Sequence, residues 1–421
     1  VLQNTQPEFM VDIIGNHFFS SSYLLKNTGV IDQEKESEKL IRSILDEYTD
    51  AGFAFCRIYP AFLTSDSANH TLLITIEEGK RIKIADYIFD IQGRTNQGPV
   101  RRIAQFKTDT YFSSSTVDNT RENLFKTGVF TSIKDNIVLQ NDLYYVLFTM
   151  TEAPSDNLIA YAAFNEDDYD FSITYDTKNL LGTLRRLVFQ YEYENLFALD
   201  FTDPVLLYPL SLNGNFSLWT YDSVRLVKFY GKVCAPLSKH FDISLVSGLE
   251  SFSYFGGDTL AQQHADNFVG IGLVAKHDAR SWSSKQQVYF EYLLRDHDRQ
   301  RIQYDGEFQI CDFHVRPHYY YALTDSFEYF DYFRIGGGKD LRGYFEEEFY
   351  AKKAGWFNIE YKKFFIFPLF DIGWIEEEII YSYGFGLTLV SRILDSELIF
   401  AWPEKSNWLD GKIHIKIEKC F

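Results

Sequence analysis

The last ten residues, Lys412-Ile413-His414-Ile415-Lys416-Ile417-Glu418-Lys419-Cys420-Phe421, alternate in character. Ile413, Ile415, Ile417 and Phe421 share one parity, and Lys412, His414, Lys416 and Glu418 share the other. Successive side chains of a strand point to opposite faces, so this segment predicts a strand with one greasy face and one charged face. The same split recurs in Trp356–Lys362, where Phe357, Ile359 and Tyr361 oppose Asn358, Glu360 and Lys362. It recurs again in Gln287–Leu294, and in Tyr381–Leu389 with its small residues Ser382, Gly384 and Gly386.

Two architectures accept such strands. A soluble sandwich turns the apolar face inward, whereas a membrane barrel turns it outward to lipid. Three features favour the barrel. The apolar face is dominated by aromatics, which make up 18% of the chain, as rings do where they girdle the lipid–water interfaces. The opposite face is charged rather than merely polar, and the sequence ends on Phe421. About sixteen candidate strands lie between Asn157 and Phe421, roughly 16–17 residues each with their turns, against the about 9–11 that a tilted spanning strand needs. Short loops follow from that spacing. The expected fold is two α+β units followed by an all-β transmembrane barrel of about sixteen antiparallel strands, assigned to residues 154–421.

Composition removes several other classes. Lys and Arg total 41 against 59 Asp and Glu, a net charge of −18 over 421 residues, which disfavours any unspecific grip on nucleic acid. Even the uncharged stretch Val205–Tyr221 is broken by Pro209, Asn213, Gly214 and Asn215, so no helical membrane span is expected. Val1–Glu8 lacks the basic-then-apolar pattern of a secretory signal, which leaves export open. Cys56, Cys234, Cys311 and Cys420 show no paired spacing and read as free. There is no HExxH, and His314 and His318 share a strand face but stand too far apart for a shared ion, so no metal site is expected. Gly336-Gly337-Gly338-Lys339 lacks the order of a phosphate-binding loop. No nucleophile elbow or carboxylate pair stands out, so neither enzymatic activity nor a cofactor is expected.

The first 153 residues carry strand, helix and closing-strand signals twice, which places one unit at 1–79 and another at 80–153. The first opens with Phe9–Ile14, continues with Leu40, Ile41, Ile44, Leu45 and Tyr48 at helical spacing, and closes with Thr71–Ile76. The second has the alternating strand Ile82–Ile91, Pro99 as a first helical residue, and a helix over Val117–Lys126 capped by Ser115 or Thr116 and stopped by Gly128.

The segment Phe333-Arg334-Ile335-Gly336-Gly337-Gly338-Lys339-Asp340-Leu341-Arg342-Gly343-Tyr344, set before the fifth strand from the end, adds a further signal. With the two α/β units and the terminal Phe it resembles the outer-membrane protein assembly factor superfamily, BamA-like proteins and two-partner secretion transporters. Those have periplasmic POTRA domains ahead of a sixteen-stranded barrel, and a loop with an (V/I/L)-Arg-Gly-(F/Y) tip folded into the lumen. Leu341, Arg342, Gly343 and Tyr344 match that tip. Asn358–Tyr361, Phe370–Gly373 and Tyr383–Gly386 resemble the three strands after the loop, and Glu77-Glu78-Gly79 and Gly93 resemble recurrent POTRA signals. Lys419, third from the end, and Lys362 depart from the family pattern. An inward Arg342 needs a carboxylate, and parity places Asp371 and Glu360 on the lumen faces of neighbouring strands. Gly373, Gly384 and Gly386 are expected to leave space for the loop. Ile413, Ile415, Ile417 and Phe421 would form the C-terminal barrel signal.

The resemblance implies an outer-membrane location in a Gram-negative-type bacterium, with the POTRA units in the periplasm. It implies unfolded outer-membrane or secreted polypeptides, outer-membrane lipid and accessory lipoproteins as partners, and no nucleic acid. The reading favoured is assembly and insertion: POTRA sheet edges bind unfolded chains, and a seam between about Asn157–Phe164 and Lys412–Phe421 accepts a substrate strand. The rivals are a polypeptide translocation pore of the two-partner type, which the two POTRA-like units suit although only about eight residues precede the first strand, and a passive porin.

Overall fold

The computed structural model describes residues 9–26, 34–66, 69–164, 169–221, 224–254, 263–279, 281–294, 298–391 and 394–421. It divides into two compact units, Val1–Ala153 and Pro154–Phe421.

The first unit holds one motif twice. Strand Phe9–Ile14 is followed by helices Ser21–Leu24 and Glu34–Asp50 and by strands Arg57–Asp66 and Asn69–Glu77. The last strand lies in the middle of its sheet, parallel to the first and antiparallel to the second. Strand Lys83–Gln92, helices Gln97–Ala104 and Ser114–Lys126, and strands Phe130–Gln140 and Leu143–Glu152 repeat that order and pairing, with the short strand Thr110–Tyr111 added at one edge. Helix Glu34–Asp50 forms for the reason its spacing gives: Leu40, Ile44 and Tyr48 are buried against Ile13, Leu72, Ile74 and Ile76, while Ile41 and Leu45 pack at the rim.

Two expected helix starts are corrected. The second long helix begins earlier than Val117, at Ser114, and Ser113 rather than Ser115 or Thr116 is its cap, accepting the N–H of Thr116. Pro99 is the third residue of its helix, not the first; the opening turn has no intrahelical use for that N–H, so proline fits there as well. Gly128 ends the long helix at φ +67°, its N–H returning to the carbonyl of Phe125.

The second unit is one antiparallel sheet of sixteen strands closed into a barrel. The sandwich alternative is overturned by that closure: the strand Lys412–Cys420 pairs with Asp156–Phe164 to complete the ring. Apolar side chains such as Phe229, Leu245, Leu249, Val269 and Phe357 are exposed on the outside, while Glu250, Arg299, Asn358, Glu360 and Asp371 are buried within. Connections are short except for residues 325–352, between the strands Phe313–Thr324 and Lys353–Tyr361. That long loop carries its own two-stranded hairpin, Phe333–Ile335 against Phe349–Ala351.

Candidate functional site

The loop folds into the barrel because both its greasy and its charged residues find partners there. Ile335, Leu341 and Tyr344 are buried in one cluster with Ala322, Phe333, Ala351, Ala354, Trp356, Ile375 and Ile380. Inside that cluster Arg342 is 1% exposed. Its Nε and backbone N–H both donate to Asp371 Oδ2, at 2.8 and 2.9 Å, and its Nη2 donates to Asp371 Oδ1. Its Nη1 donates to Glu360 Oε1. The planar fork thus spans Asp371 from two nitrogens, a geometry that lysine cannot supply.

Strand register sets this up. Asn358, Asp371 and Ser382 lie directly opposite one another on three successive strands, and all three are buried on the lumen side. Asn358 donates its amide to the carbonyl of Asp340, just ahead of the tip. Glu360, two residues along on the same face, also receives Arg316 at 2.9 Å and Lys362 at 3.0 Å, and Lys362 reaches on to Glu397 at 3.1 Å. Lys362, the departure noted in the sequence, therefore takes part in the charge network.

Gly343 turns the tip at φ +93°, and a Cβ there would stand 2.9 Å from the backbone of Trp402 and 3.2 Å from Ser382 Cβ. Tyr344 follows with its hydroxyl donated to the carbonyl of Tyr381 at 3.0 Å. Of the three glycines expected to face the loop, Gly373 has a loop side chain as its nearest neighbour: a Cβ would meet Leu341 at 3.1 Å. Gly384 is small because the backbone of Phe400 and Ala401 passes against it, and Gly386 because the Phe367 ring covers it. Alternation gave their shared face but not which neighbour fills it.

The loop also reaches the seam, which the sequence did not signal. Ile413 to Cys420 pair residue by residue with Phe164 to Asn157. Phe421 extends the pairing, because its N–H donates to the carbonyl of Asp156 at 2.9 Å and its carbonyl accepts from the N–H of Asp156 at 3.1 Å. Ile413, Ile417 and Phe421 are exposed and Ile415 half-buried, whereas His414 is buried. Tyr161 on the first strand is hydrogen-bonded to His414 Nδ1 on the last. The same hydroxyl lies 3.4 Å from Glu346 Oε1 on the loop, and that oxygen accepts the N–H of Gly338 at 2.8 Å. Lys412 stands 3.7 Å from the centre of the Phe345 ring. The glycine run is thus occupied by a glutamate, and Lys339 pairs with Glu192. The sequence offered only a histidine on the charged parity of the last strand, with nothing to name its neighbour.

No metal-binding group of His, Cys, Asp and Glu occurs among the described residues. His318 instead pairs with Asp305 at 2.7 Å and stacks on Trp356.

This fold, a closed sixteen-stranded barrel with a loop clamped in its lumen and two β-α-α-β-β repeats ahead of it, has solved counterparts. BamA from Haemophilus ducreyi lacking POTRA domains 1–3 matches at 13% identity and TM-score 0.62, over 99% of this chain and 99% of that one. CdiB from Escherichia coli matches at 12% identity and TM-score 0.63 over 99% and 90%, and CdiB from Acinetobacter baumannii at 13% and 0.59 over 100% and 91%. At such identities the likeness is one of fold, and it runs the length of the chain. No family model matches the sequence, and no curated protein matches it.

Proposed function

We propose that this chain is an outer-membrane protein assembly and insertion factor. Its exposed apolar belt faces lipid, its two β-α-α-β-β repeats are POTRA domains that receive unfolded polypeptides in the periplasm, and its seam accepts the incoming strand. The observation that carries the reading is the meeting of the lumen loop with both strands of the seam, through Glu346, Tyr161, His414 and Lys412. Unpaired backbone groups are costly in lipid, so a seam that parts presents an edge with a strong tendency to capture a substrate strand. A loop touching both sides links that parting to events in the lumen.

Likeness to CdiB supports a second reading, a pore that passes one partner polypeptide through the lumen once the loop withdraws. A passive porin has no use for a loop held by a buried ion-pair network, and is the weakest of the three. Insertion of an unfolded barrel substrate into liposomes containing this chain separates them. The assembly reading expects insertion faster than into empty liposomes. Passage of one secreted partner without faster insertion would favour the pore, and ion conductance alone the porin.

A further inference from the structure

The tip is not the loop's only buried charge. Asp331, near the start of the long connection, is fully buried; its Oδ1 accepts Arg299 Nη1 at 3.0 Å and its Oδ2 accepts the N–H of Glu328 at 2.8 Å. Arg299 is equally buried and also binds two wall carboxylates: Nη1 and Nη2 to Glu250 at 3.0 and 3.1 Å, and Nη2 to Glu291 at 2.9 Å. Lys228 stands 2.6 Å from Glu291 and 3.3 Å from Glu250. Arg301 donates to the carbonyl of Phe330, whose ring is buried with Val224, Leu226 and Phe252. Lys228 with Glu250, and Arg301 with Glu291, are directly opposed cross-strand pairs.

The wall here brings three cations, Lys228, Arg299 and Arg301, against two carboxylates, Glu250 and Glu291. Asp331 supplies the missing negative charge from the loop. At the tip the sense is reversed, with a loop cation set on wall carboxylates. Two opposite charges eleven residues apart in sequence therefore meet two opposite patches of one wall, which fixes the loop's direction as well as its depth. Holding Asp331 also shortens the tether on Arg342, so the tip closes at a higher effective concentration than a loop anchored only at its ends.

We propose that Asp331 is a second positioning residue of the lumen loop, docking its base on Arg299 so that Arg342 reaches Asp371. This concerns the loop whatever the barrel's client, so its test does not depend on insertion activity. The test is amide hydrogen exchange of the full chain in detergent micelles. Asp331→Asn is expected to speed exchange in the Phe333–Ala351 part of the loop by about tenfold or more, with the wall strand Lys353–Tyr361 unchanged. Asp331→Glu, which keeps the charge, is expected to stay within about threefold of the parent. Arg301→Gln removes the wall's excess cation, leaves it neutral, and is expected to loosen the loop in the same direction. Loop exchange at the parent rate in folded Asp331→Asn and Arg301→Gln variants, or equal acceleration of loop and wall, would overturn the assignment.

Discussion

Arg342 is a buried cation held by two buried carboxylates, Asp371 and Glu360. Removing one partner of a buried ion pair leaves an uncompensated charge and typically costs about 3–5 kcal/mol, more than the intact pair contributes over an apolar replacement. Asp371→Ala is therefore expected to lower unfolding stability in detergent by about that amount, leaving Arg342 with Glu360 alone among its acidic partners. The double variant Arg342→Ala with Asp371→Ala is expected to lose less than the two single losses added together, as coupled residues do, and urea titration of the four proteins measures the difference. Gly343 is a separate test. An alanine at φ +93°, with its Cβ about 3 Å from Trp402 and Pro403, is expected to cost about 1–3 kcal/mol and to loosen the tip without touching a charge. A Gly343→Ala protein with parent stability and parent loop protection would remove the close approach from the account.

Among the elements, the first unit carries a contact that joins its two repeats. Asp50, at the end of the first long helix, accepts from Ser113 Oγ, Ser114 Oγ and the backbone N–H of Ser115, at the start of the other. The N–H of Ile82 adds a bond to the carbonyl of Gly52 at 2.9 Å, and Arg81 Nε donates to the carbonyl of Ala51 at 2.7 Å. Burial pushes the Asp50 carboxyl up, but the Ser115 N–H and the three serine hydroxyls outweigh it and hold its pKa below the usual value. A depressed folded pKa means the contact contributes fully above the ordinary carboxylate range and is lost as pH falls through the lowered value. Protection of helix Ser114–Lys126, corrected for intrinsic exchange, is expected to fall below about pH 4 in the parent and to be low at all pH values in Asp50→Ala. A pH-independent parent would contradict it.

The same elements show what the sequence discloses. Period-two alternation revealed the strands, and parity brought Asp371 and Glu360 to the lumen, because a side chain's face depends only on local geometry. The helix spacing of Leu40, Ile44 and Tyr48 was equally local. Asp331 with Arg299, and Tyr161 with His414, are meetings between elements 32 and 253 residues apart, and no local period reports them. The nearest neighbours of Gly384 and Gly386, Phe400 with Ala401 and the Phe367 ring, were hidden for the same reason: smallness reveals a close approach but not by whom.

For the whole molecule, the proposed function turns on the seam of a closed ring. Asp156 and Phe421 exchange both backbone hydrogen bonds, so Asn157 and Cys420 form the adjacent non-hydrogen-bonded pair, whose Cα atoms stand about 4.5 Å apart in such ladders, within disulfide range. Cys420 is native, free and exposed, with its Sγ 3.6 Å from Asn157 Oδ1. Asn157→Cys, with the exposed Cys311 changed to Ser, gives a barrel that can be locked and unlocked by oxidant and reductant. The measurement is the insertion rate of an unfolded barrel substrate into liposomes carrying this variant. The account predicts stimulated insertion in the reduced protein, loss of that stimulation on oxidation, and recovery on reduction. Stimulation that persists with the seam covalently shut would contradict it.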